Sequence, residues 1–199
     1  MAILISGNHK LKLPEWPKKN LPAAPPRRAA GFVELLGRSN FSFLQGASHP
    51  EEMVQEAIRY GYDGFGLCDL NGLYGVARGF QTAQSPSFFI TTLEAKKNFK
   101  YLIGSELTLT DETAITLVPL NKTGYSNLCE ILTLGKRQAT KGFSKITLEQ
   151  IAKHNEGLLC FALPPWTTER YEKLEKIFDD RLYLPVWRDL TWESQDFSK

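Results

Sequence analysis

The segment from Phe32 to Arg78 constrains the fold more than any other, because strand and helix signals alternate there twice in succession. Phe32-Val33-Glu34-Leu35-Leu36 is a short apolar run suited to a buried strand. Gly46-Ala47-Ser48-His49-Pro50-Glu51-Glu52 then opens a helix. Ser48 is a good N-cap residue, Glu51 three positions later completes a capping box, and Pro50 fits the first turn. Met53, Val54, Ala57 and Ile58 give the helix one apolar face, and Gly61 ends it. Gly64-Phe65-Gly66-Leu67-Cys68 is the second strand, with Asp69-Leu70-Asn71-Gly72 just past its end. Open α/β sheets and βα barrels place their chemistry at that end of a strand.

The alternation continues. Leu73 to Gln84 reads as a helix loosened by Gly75 and Gly79, and Leu93-Glu94-Ala95-Lys96-Lys97 can extend or restart it. Tyr101-Leu102-Ile103 is a short buried strand. Glu106 to Leu109 and Ala114 to Val118 flank the turn at Asp111-Glu112, as a hairpin or as two sequential strands. Thr123 to Arg137 is helical with Leu128, Ile131, Leu132 and Leu134 inward, and Gly135 to Gly142 reads as a basic loop. Thr147 and Gln150 form a capping box for a helix from Leu148 to His154, closed by Gly157. Leu158 to Leu163 is a strand stopped by Pro164-Pro165. Thr168 to Phe178 is an amphipathic helix carrying Tyr171, Leu174 and Phe178, and Arg181 to Trp187 is the last strand. This pattern predicts an α/β fold of about six strands in a mainly parallel sheet.

Residues 1–30 differ in composition. Pro14, Pro17, Pro22, Pro25 and Pro26 are interleaved with Lys10, Lys12, Lys18, Lys19, Arg27 and Arg28, against the single acid Glu15. We read 1–30 as a solvated, basic, Pro-rich arm able to touch DNA weakly, and 31–199 as the βα domain. Elsewhere the totals mainly exclude. A net charge of +2 gives no global attraction for nucleic acid. Cys68, Cys129 and Cys160 are odd in number, far apart and without a CxxC pair, which fits buried thiols of a reducing cytosol better than disulfides or zinc ligands. No apolar run is long enough to cross a bilayer, so a cytoplasmic protein is expected. No Walker or Rossmann glycine pattern occurs, and His9, His49 and His154 have no nucleophile and acid at triad-like spacing.

Leu36-Gly37-Arg38-Ser39-Asn40-Phe41-Ser42-Phe43-Leu44-Gln45-Gly46-Ala47-Ser48-His49-Pro50-Glu51-Glu52 resembles the opening of a PHP (polymerase and histidinol phosphatase) domain. Its likeness is to the PHP domain of error-prone C-family bacterial DNA polymerases, the DNA polymerase III alpha-subunit type. Cys68 to Arg78, Ile103 to Leu109, Gly124 to Cys129 and Glu156 to Cys160 follow in family order. The resemblance implies a distorted seven-stranded βα barrel, incomplete here at about six strands, and Ser85 to Lys100 then reads as an insertion. Metal-dependent members of this family hold two or three divalent ions on His, Asp and Glu side chains at the strand ends. Carried over residue by residue, Leu36 and Arg38 stand where a His-x-His pair would be. Asp69 matches the acid after the second strand, Leu70 replaces its partner His, and Glu106 matches the acid of the third motif. Pro185 and Trp187 occupy the region of further ligands.

Two carboxylates are too few for a catalytic metal cluster, and a guanidinium puts a permanent cation where an ion would sit. The resemblance therefore implies a degenerate site with vestigial Asp69 and Glu106 and no resident cofactor, manganese or zinc being the alternative. Arg38 is expected to pair with Asp69 or Glu106, within a polar pocket of Arg38, Asn40, Asp69, Asn71 and Glu106. Lys136, Arg137 and Lys141 form a candidate basic surface. The implied role is structural or protein-binding, with a polymerase module or another replication or repair protein as partner. Two alternatives stand beside it: a phosphoesterase with a reduced site on Asp69 and Glu106, and a free-standing nucleic-acid-binding module.

Overall fold

A computed structural model of the chain describes residues 32–84 and 99–185. Six strands form one sheet in their order along the chain: β1 (Val33–Gly37), β2 (Gly64–Leu70), β3 (Lys100–Thr108), β4 (Ala114–Pro119), β5 (Leu158–Ala162) and β6 (Leu182–Tyr183). Helices α1 (Pro50–Arg59), α2 (Val76–Gln84), α3 (Lys122–Arg137), α4 (Leu148–Lys153) and α5 (Thr168–Phe178) accompany them. The expected arm, the helix at Leu93 to Lys97 and Trp187 lie outside the described residues.

The sheet is mixed, which corrects the expectation of a mainly parallel one. β1–β2, β2–β3 and β5–β6 pair in parallel, whereas β4 runs antiparallel to both β3 and β5. The turn at Asp111-Glu112 is responsible. The Asp111 carboxylate accepts bonds from the Thr113 amide (3.1 Å) and hydroxyl (2.7 Å), and Glu112 takes a positive φ of 64°. A turn that tight returns the chain alongside the strand it has just left, and only an antiparallel partner can form there. β1 and β6 are the edges of the sheet, so among the described residues it is a curled half-barrel.

Helices cover one face. Leu107, Ile115, Leu117, Leu158 and Cys160 pack there against Leu128 and Ile131 of α3, Ile151 of α4, and Leu174 and Phe178 of α5. Beside them Phe65 and Leu67 meet Val54, Ala57 and Ile58 of α1. Successive side chains of a strand leave opposite faces, so Cys68, Val118 and Phe161, with Leu36 and Leu159, form a smaller cluster on the uncovered, inner face.

Several element boundaries move. The cap of α1 shifts by one residue: His49 is the N-cap, its amide donates to Glu52 Oε2 at 2.8 Å, and Pro50 takes the first helical position. Ser48 and Glu51, the expected pair, are displaced because Ser48 uses its carbonyl to hold the Asn40 amide at 2.9 Å. Tyr101 to Ile103 and Glu106 onward are one continuous strand, β3. α2 starts at Val76, not Leu73, and Lys136 and Arg137 belong to the last turn of α3, not to a loop. Arg181 closes a 3-10 turn, leaving β6 only Leu182–Tyr183. The Thr147 and Gln150 capping box and the Gly61 stop, at φ 73°, stand as expected, whereas the helix after Thr147 is capped by His154, and Gly157, at φ 69°, turns the chain into β5.

Candidate functional site

Asp69 and Leu70 are the last residues of β2, inside the strand, not past it. The parallel register sets Asp69 beside Ser105 and Leu70 beside Glu106. Residues paired in register share a face, so Asp69 and Glu106 leave the sheet on opposite faces. Their partners agree with this. The expectation that both acids line one pocket is corrected by that offset of a single residue.

Asp69 turns toward the helices. It is 1% exposed, and among the described residues no cation forms an ion pair with it. Its carboxylate accepts from the Ser39 amide (2.8 Å) and the Ser42 hydroxyl (2.8 Å), and the Ser39 hydroxyl lies within reach of both oxygens (2.9 and 2.8 Å). Neutral donors thus solvate a buried carboxylate in place of water. The Ser42 oxygen also accepts the Leu70 amide (3.0 Å), which fastens the loop after β1 to the end of β2. A Cβ on Gly75 would stand 2.8 Å from both Asp69 Oδ2 and Pro50 Cγ, so the acid sits near the first turns of α1 and α2, where helix dipoles favour negative charge.

Glu106 turns to the inner face and forms an ion pair with Arg38, whose other terminal nitrogen donates to Gln45 Oε1 at 2.9 Å. Of the two partners left open by the sequence, Arg38 takes Glu106. Burial raises the Glu106 pKa above the ordinary value, and the guanidinium offsets only part of that rise. Leu36 packs on the inner face against Cys68, Val118 and Phe161. Leu36, Arg38, Leu70 and Glu106 therefore share the inner side of the sheet, as two aliphatic side chains, one cation and one acid. Among the described residues no group of three or more His, Cys, Asp or Glu side chains is placed to hold a metal ion. This donor set does not fit a di- or trinuclear centre.

The remaining expected residues scatter. The Asn40 amide side chain meets His49 Nδ1 at 3.0 Å and braces the start of α1. Asn71, at φ 49°, accepts the Thr108 amide (3.0 Å) and donates its own amide to the Glu106 carbonyl (2.7 Å), so it bridges β2 to β3. Lys136 and Arg137 line a shallow concavity together with Asn71, whereas Lys141 is not among its lining residues. Cys68 donates to the Leu35 carbonyl (3.4 Å), and burial first, then Asp69 and Glu106, drive its thiol pKa upward, which disables it as a nucleophile.

Ser39, Ser42, Gln45 and Ser105 carry much of this architecture, and sequence reasoning alone misses them. The Ser105 hydroxyl donates to the Asp69 carbonyl (2.9 Å) and accepts the Gly72 amide (3.0 Å). Their one sequence signal is that three of them are polar residues within the segment opening with Arg38-Ser39, too generic a pattern to identify Asp69, on the next strand, as the acceptor of Ser39 and Ser42.

The model of the PHP domain family matches residues 35–171, and the chain belongs to that family. Within it, the chain is 75% identical over 179 residues to the error-prone DNA polymerase of Bdellovibrio bacteriovorus, covering 90% of this chain and 17% of that one. The error-prone DNA polymerase of Rhodopirellula baltica is 34% identical over 172 residues, covering 79% of this chain and 14% of its own length. The chain thus spans about one-sixth of the length of these relatives or less. A solved structure from Bifidobacterium adolescentis, described as a candidate metal-dependent phosphoesterase, matches with a TM-score of 0.51 at 14% identity, covering 81% of this chain and 79% of that one. That likeness is one of fold. No helix among the described residues is long and apolar enough to cross a membrane.

Proposed function

We propose that this chain serves as the PHP domain of an error-prone DNA polymerase, with a degenerate metal site, and acts as a scaffold or docking surface for a polymerase module in replication and translesion repair. One observation carries the reading of the site: the Arg38–Glu106 ion pair on the inner face of the sheet. A guanidinium supplies one fixed positive charge and no ligand atom, so it can neutralise the acid but cannot activate water. Leu36 and Leu70 on the same face add no donor. The residues that would polarise a phosphoester are thus replaced by groups that fill and neutralise the space. The 75% identity to a polymerase supports the context.

Elemental analysis of the purified chain, with melting curves in the presence and absence of a chelator, tests this. Manganese and zinc far below one ion per chain, and an unchanged Tm, are expected. A stoichiometric ion that disappears in Glu106→Gln, or chelator-sensitive hydrolysis of a simple phosphoester, overturns it. Co-purification with the polymerase polypeptide is the expected result for the docking role, and its absence at low salt would remove that role.

A further inference from the structure

The loop after β2 meets the last turn of α3, and their meeting leaves a concavity of about 300 Å³ lined by Asn71, Gly72, Leu73, Tyr74, Leu132, Thr133, Lys136 and Arg137. Three features of this place point to one kind of ligand. First, Tyr74 is 58% exposed and Phe41, from the loop after β1, is 38% exposed, with ring centroids 6.5 Å apart at an angle of 31°. The two rings form a ledge, with Arg78 over Phe41 at 5.7 Å. Second, the Tyr74 ring lies close over Gly72, where an added Cβ would come within 2.3 Å of it, so its position is set by the backbone beneath. Third, Lys136 and Arg137 have no carboxylate partner among the described residues, and no acidic side chain among them lines the concavity. An exposed Tyr74 ring, with Phe41 at its edge, beside two cations that have no carboxylate partner among the described residues and over an apolar floor of Leu73 and Leu132, matches the needs of a strand that carries flat bases on a phosphate backbone.

We propose that this concavity binds single-stranded nucleic acid, with a base stacked on the Tyr74–Phe41 ledge and the adjoining phosphates held by Lys136 and Arg137. A duplex hides its bases inside the stack and offers the ledge nothing, so single strands are preferred. This site is separate from the Arg38–Glu106 pair and does not depend on whether that pair excludes metal.

Fluorescence anisotropy of a labelled oligothymidylate, titrated with the full 199-residue chain over a series of salt concentrations, tests the proposal. Binding that weakens with salt is expected. Lys136→Ala with Arg137→Ala should flatten the slope of log affinity against log salt by about 1.4, roughly 0.7 for each single-strand phosphate that is no longer neutralised. Tyr74→Ala should weaken binding at least about fivefold, and Tyr74→Phe, which keeps the ring, should bind like the parent chain. Lys173→Ala, on α5, should change nothing. Failure of the parent chain to bind at low salt overturns the proposal and leaves the ledge to a protein partner. Loss of binding in the Lys136 and Arg137 variant alone, with Tyr74→Ala unaffected, or equal competition by duplex, also overturns it.

Discussion

Asp69 and Glu106 stand on neighbouring strands within one residue of each other in register, yet the molecule accommodates them in unlike ways. Asp69, on the helix-covered face, is surrounded by the Ser39 amide and the Ser39 and Ser42 hydroxyls. Glu106, on the inner face, has Arg38. The difference teaches that the two acids do not share one pocket. One is a structural acceptor that ties a loop to a strand end. The other faces the inner side of the sheet and is matched by a cation.

The largest test of this contrast is Asp69→Ala. It leaves an amide and two hydroxyls buried without their acceptor, and we expect a loss of about 3–5 kcal/mol in urea denaturation. Asp69→Asn retains an acceptor oxygen and should lose less. Arg38→Ala comes next. It strands Glu106, but Arg38 is partly open to water, so the expected cost is about 1–3 kcal/mol. If Asp69→Ala proved the milder of the two, the roles assigned to the acids would be reversed.

The pH dependence sharpens the same comparison. Glu106 has its pKa raised by burial, so its contribution to stability is fully present below the pKa of an unfolded glutamate and is lost as pH rises through the folded value. Asp111 has its pKa lowered, first by the Thr113 hydroxyl; its contribution is present above the unfolded aspartate value and is lost as pH falls through the folded one. Stability measured across the acidic range should therefore show two opposed slopes, with Glu106→Gln abolishing only the one at higher pH. The smallest effect belongs to a third, exposed carboxylate. Glu52→Ala removes the acceptor of the His49 amide and should cost about 0.5–1 kcal/mol, while Ser48→Ala should be close to neutral. The reverse result would restore the cap read from the sequence.

Much of the fold was legible because its signals are local. The apolar face Val54, Ala57 and Ile58 ended by Gly61 specifies α1, the Thr147 and Gln150 box specifies α4, and the runs on either side of Asp111-Glu112 specify two strands across a turn, which the structure pairs as a hairpin. Even there, the cap of α1 slipped by one residue, since Ser48 and His49 can each serve as a cap and the competing bond from Asn40 comes from a distant loop position. Of the candidate site, the identities of Leu36, Arg38 and Leu70 at the strand ends could be read directly. The partners of the surviving acids could not.

By itself the sequence determined the alternation of strands and helices and which residue types stand near the strand ends, because propensity, capping and side-chain identity belong to single residues and short windows. Tertiary structure alone decided that β4 pairs antiparallel with β5, that Asp69 and Glu106 face apart, and that Tyr74 lines one concavity with Lys136 and Arg137. Each of those depends on how one strand is registered against another or how one loop lies on a distant helix. A one-residue change of register exchanges the faces of every side chain on a strand, and no local pattern within either strand encodes it.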